Sequence, residues 1–117
     1  MSISIKAHKL INEKFPFTEV STQYIAKFET KSGRELALEK NRTEAIYLWL
    51  QKYNQTIEGV QIKNEKFPGQ PYNSKQPRNS NINEKNTPKL KVGKKAFYLQ
   101  IDNLDALNKV IDWYASL

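Results

Sequence analysis

Two groups of residues in this chain have the types and spacing to do chemistry. The first is Glu29, Thr30 and Lys31, an acid-x-Lys sequence. With a further acid upstream on a neighbouring strand, such a pair can hold a divalent ion through oxygen ligands and assist phosphodiester hydrolysis. No aspartate precedes Asp102, so Glu13 or Glu19 would have to be that acid. The second group is a run of cations. Residues 61–97 contain nine bases (Lys63, Lys66, Lys75, Arg78, Lys85, Lys89, Lys91, Lys94 and Lys95) against Glu65 and Glu84. Duplex DNA carries one negative charge per ~1.7 Å of axis, and each neutralised phosphate releases counterions.

The cationic run is the more informative of the two. It accounts for the whole net charge of +7, because the residues before it sum to +2 and those after it to −2. Lys63, Lys66, Lys75, Lys89, Lys91, Lys94 and Lys95 are candidate phosphate contacts, which position a backbone without reading its sequence. If 89–95 is extended, Lys89, Lys91 and Lys95 share a face, since side chains alternate with period two. Reading bases takes short, directed donors and acceptors. Arg78 can fork onto guanine, Asn79 and Asn81 can pair with adenine, and Tyr72 offers a ring to an extruded base or a single strand.

Other chemistries are excluded by composition. The 117 residues include no cysteine and one histidine, His8. Thiol nucleophiles, disulfide frameworks, Cys-ligated zinc and sites needing two imidazoles are therefore absent. His8, between Lys6 and Lys9, reads as an ordinary surface residue with no acid at hand to orient it. The four glycines are scattered singly, so no phosphate-cradling loop is present. No cofactor is expected. Nor does any apolar run approach the roughly 18–20 residues of a membrane span, and the first residues lack the pattern of a secretory signal. A cytoplasmic protein without a membrane partner is the expectation.

The elements that must position these residues make one domain, over 1–117. Ile3, Ala7, Leu10 and Ile11 predict a helix over 3–15, ended by Pro16, although residues 2–6 also alternate as a strand would. Residues 22–40 predict a hairpin: Tyr24, Ala26 and Phe28 alternate with Ile25, Lys27 and Glu29, Gly33 supplies the turn, and Leu36 and Leu38 return. Asn41 and Glu44 form a capping-box pattern before a helix to about Tyr53, with Ile46, Trp49, Leu50 and Tyr53 on one side. Strands follow over 57–62 and 96–101, with Lys89 to Val92 pairing across Gly93. Pro, Gly, Asn and Ser between Gly69 and Pro88 argue for a long loop. The last helix, capped by Asp102 or Asn103, carries Leu104, Leu107, Ile111 and Tyr114 at three- and four-residue spacing. Trp49 and Trp113 both fall on apolar stripes and read as core. The class is α+β: a mainly antiparallel sheet packed by two helices, with a long basic loop. Asn12 to Pro16 recurs as Asn64 to Pro68, in no shared context.

The second half of the chain resembles a known group of domains. Gly59 and Val60, Phe67 to Gly69, Arg78 to Asn81, Pro88 to Leu90, Phe97 to Leu99, Leu107, Trp113 and Tyr114 are similar to DNA-recognition domains of multidomain restriction endonucleases. The likeness spans about sixty residues and no diagnostic motif. It implies a reader of duplex DNA, plain or modified, not an enzyme on its own, with cutting done by a nuclease domain elsewhere in a longer chain. Two other readings compete with it. One is a protein-interaction module, such as a phage or defence inhibitor, that sets its basic face on an acidic protein. The other is a small metal-dependent nuclease centred on Glu29 and Lys31.

Overall fold

The computed structural model describes residues 3–40, 42–66, 87, 89–90 and 95–117. Among these residues the order is α1 (Ile3–Lys14), β1 (Val20–Ser21), β2 (Ile25–Glu29), β3 (Glu35–Glu39), β4 (Ile46–Leu50), β5 (Val60–Lys66), β6 (Ala96–Ile101) and α2 (Leu104–Ala115). The strands form one antiparallel sheet in the order β1-β2-β3-β4-β6-β5, with both helices packed on the same face. This is the α+β architecture expected. The basic loop expected between Gly69 and Pro88 lies outside the described residues.

The helix-covered face is apolar in register. Ala26 pairs with Leu38 and Phe28 with Leu36; Leu36 pairs with Leu50 and Leu38 with Leu48; Ile46, Leu48 and Leu50 meet Ile101, Leu99 and Phe97. Ala7 and Ile11 of α1 and Leu107, Val110, Ile111 and Tyr114 of α2 close over them. Tyr114 also fastens its helix by polar bonds. Its hydroxyl donates to the Glu35 carbonyl (2.6 Å) and accepts from the Gln51 N–H (3.0 Å). Burial pushes the Tyr114 hydroxyl far above its usual range, so it stays protonated.

The hairpin, α1, β6 and α2 form where expected. Asn103 is the N-cap of α2, its side chain accepting from the Ala106 N–H at 2.8 Å. Gly33 holds a φ of 87° in the hairpin turn, a conformation that glycine takes without steric cost.

Four expectations are corrected. The residues read as a helix to Tyr53 contain strand β4 instead. It is a central strand, with β3 on one side and β6 on the other, and four of its five residues are buried. Apolar residues on both faces remove the period-two signature, and a short run then mimics a helical stripe. Asn41 of the supposed cap lies outside the described residues. The strand read as 57–62 runs over 60–66, because Gly59 turns the chain at φ 88° and Val60 N–H donates to the Ile57 carbonyl. Lys89 and Leu90 lie in a turn, with Leu90 N–H donating to the Thr87 carbonyl at 3.0 Å, so an extended 89–95 does not begin there. His8 does have an orienting acid: its Nε2 lies 2.9 Å from Glu19 Oε1, and its ring meets Phe28 edge-on. Trp49 is buried, and Trp113 is partly buried against the core.

Candidate nucleic-acid interface

The sheet has two unlike ends. At one end lie the β2–β3 turn, the exit of β4, the last residue of β5 and the entry to β6, since Phe28, Leu36, Leu50 and Phe97 align in register and Lys66 pairs with Ala96. Lys31, Arg34, Lys52, Lys66, Lys89 and Lys95 belong to this end. The opposite end holds the exposed Glu44, Glu58, Asp102 and Asp105 together with Lys40 and Arg42, while Glu29, Glu35 and Glu65 stand among the cations of the first end. Cations thus outnumber acids at the first end and acids outnumber cations at the other, and fields summed this way steer polyanions.

The chain between Lys66 and Lys95 leaves and re-enters the sheet at the cationic end. Its described parts are tied down. Leu90 is buried with Ile25, Ala37, Trp49 and Ala96 on the sheet face away from the helices. Lys89 N–H donates to Glu35 Oε1 at 2.9 Å, and its ammonium donates to the Gly33 carbonyl. Lys95 places its ammonium 5.4 Å from the centre of the Phe97 ring. Lys63 is the extra residue of a bulge between Ile62 and Asn64, exposed on edge strand β5. Bulges re-aim side chains in this way.

Of the expected contacts, Lys89 and Lys95 thus lie at the end of the sheet where Lys66 closes β5, and Lys63 stands three residues back along that strand. Lys75, Lys91, Lys94, Arg78, Asn79, Asn81 and Tyr72 lie outside the described residues. Sequence reasoning gave Lys31 a different role and missed Arg34 and Lys52; all three join the cationic end only because the hairpin folds and β4 is a strand.

Toward the opposite end, the face away from the helices carries a polar network that reaches from the buried Glu39 to the exposed Arg42. Glu39 accepts from Trp49 Nε1 (3.2 Å), from the Tyr98 hydroxyl (2.7 Å) and from Arg42 Nε (3.0 Å). Tyr98 stacks between Trp49 (4.5 Å between centroids) and Tyr47 (5.7 Å), and the Arg42 guanidinium lies 4.6 Å from the centre of the Tyr47 ring. Burial, with the Glu39 carboxylate beside it, pushes the Tyr98 hydroxyl far up, so it serves as a fixed donor. Glu35, on the same face, is held above the ordinary carboxylate value by burial, against the opposing pull of the Lys89 N–H and the Lys27 ammonium.

The groups around the acid-x-Lys pair make other contacts. Glu29 contacts Lys27 at 3.4 Å, Lys31 lies in the exposed turn, and Glu19 is taken by His8. Among the described residues, no group of three or more His, Asp or Glu side chains could hold a metal ion. None of their helices is long and apolar enough to cross a membrane. Comparison with protein-family models, with curated proteins and with solved structures finds no match to this chain.

Proposed function

We propose that this chain is a DNA-binding module that grips duplex phosphates through the cationic end of its sheet and reads bases with the segment rooted there. One observation carries the reading. The described ends of the basic segment, Lys66, Lys89 and Lys95, lie at the same end of the sheet as Lys31, Arg34 and Lys52. Acids outnumber cations at the other end, and that asymmetry orients an approaching polyanion. The resemblance to recognition domains of restriction endonucleases supports a finer version. In it the module reads a plain or modified site in the cytoplasm, without catalysis of its own, and a nuclease domain in a longer chain cuts.

Anisotropy titrations of labelled duplexes over a range of salt test this. Binding should weaken steeply as salt rises, with a log–log slope of about −0.9 per phosphate neutralised. Lys31→Glu with Lys52→Glu should weaken all duplexes alike. Arg78→Ala should relax sequence preference, costing ~1–3 kcal/mol on the preferred site if the contact is bidentate. Equal losses on every duplex from Arg78→Ala would refute that division of roles. Weak, sequence-blind binding by the unaltered chain would favour an acidic protein as the partner.

A further inference from the structure

Phe17 belongs to neither the core nor the polar network. Its side chain is fully exposed (103 % relative to a reference chain), and its φ is +66°, the one positive value outside glycine among the described residues. A bulky residue in the left-handed region is an outlier that persists only where its surroundings impose it. Here both flanks are fastened. Phe15 is buried, and its N–H donates to the Ile11 carbonyl at 2.9 Å. Thr18 Oγ1 donates to the Phe15 carbonyl at 2.8 Å and accepts from the Glu29 N–H at 3.2 Å. Pro16 fixes the remaining φ of the turn. The backbone thus holds an aromatic ring out in water with no packing in return.

Its position indicates what the ring is for. Thr18 is bonded to Glu29, so Phe17 stands beside the β2–β3 turn, at the cationic end with Lys31. An apolar ring held at the end of the sheet that carries Lys31 complements a flat aromatic surface edged by phosphates. We infer that Phe17 is a base-stacking wedge, its ring meeting the face of a nucleobase when nucleic acid docks on the cationic end. The inference rests on the nucleic-acid reading above and adds a contact that the basic segment does not provide. Apolar side chains inserted at a base step unstack it, and an aromatic ring stacks on the face of a base.

The test uses duplexes and single strands carrying 2-aminopurine, whose emission rises when neighbouring bases unstack. The unaltered chain should bind and raise the emission. Phe17→Ala should bind about tenfold more weakly and leave the emission of free DNA unchanged, while Phe17→Trp should keep both properties. Phe17→Gly separates the ring from the fold. It should bind as poorly as Phe17→Ala yet melt at or above the temperature of the unaltered chain, because glycine suits the positive φ. Unchanged affinity and emission change in Phe17→Ala would overturn the wedge and leave the nucleic-acid reading standing. If the unaltered chain binds no oligonucleotide at any salt, both fall. Loss of binding in Phe17→Ala confined to vesicles of phosphatidylserine and phosphatidylcholine would overturn the wedge in favour of a membrane anchor.

Discussion

The two faces of the sheet are built from the same strands but held by different physics. On the helix side, Phe28, Leu36, Leu38, Ile46, Leu48, Leu50 and Leu99 are wholly buried. That attraction is non-directional and grows with the area removed from water. On the other side, Glu35 and Glu39 are almost as dry, at 1 % and 5 % exposure, and each is answered by placed donors. There the bonds are directional, and a missing partner matters more than a missing contact. One face sets how firmly the domain is folded. The other anchors Leu90 and Lys89, and through them part of the segment that returns to the cationic end.

Substitutions can break this contrast. Leu48→Ala should have the largest effect, lowering stability in urea denaturation by about 2–5 kcal/mol, since the central strand can collapse little around the cavity. A loss under 1 kcal/mol would show that the helix side is loosely packed. Glu39→Ala should follow at about 2–3 kcal/mol, because Trp49 N–H and Tyr98 O–H lose their acceptor, and Glu39→Gln should lose less. Equal losses in the two variants would mean that the negative charge, and not an acceptor of that shape, holds the network. Glu35→Gln should have the smallest effect, and one that depends on pH. Burial raises the folded-state value of Glu35 above 4.5, so its contribution to stability is complete below that pH and is lost as pH rises through the folded value. The amide keeps an acceptor for the Lys89 N–H without the charge. The stability of the unaltered chain relative to Glu35→Gln should therefore fall as pH rises, and a pH-independent difference would contradict the assigned cause.

The same contrast decides what could be read from sequence. The hairpin was legible because polar residues alternate with apolar ones along it, Lys27 in β2 and Glu35 and Glu39 in β3, and α2 because Asp105, Asn108, Lys109 and Asp112 line its exposed side. Strand β4 was not, since Ile46, Leu48 and Leu50 fill one core while Trp49 enters the other. Short-range sequence alone cannot settle such cases. Asn-Glu-Lys ends a helix at 12–14 and lies in a strand at 64–66, where pairing with β6 overrides propensity. Of the candidate site, Lys66, Lys89 and Lys95 were found as members of a charge run. Lys31, Arg34 and Lys52 lie in other parts of the chain and join them only through strand topology. Phe17 carries no signal in composition, since its distinction is a backbone angle.

The place where the basic segment is spliced in has a consequence for how this domain can change. β5 and β6 are adjacent antiparallel partners, so whatever joins them closes a loop between two fixed points of an otherwise complete scaffold. Closure entropy grows only with the logarithm of length, and doubling such a connection adds about 0.6 kcal/mol. The Lys66–Lys95 joint therefore behaves like a socket. Sequences of different length and composition can be exchanged there with little penalty to the sheet, provided that they return a residue like Leu90 to its slot beside Trp49.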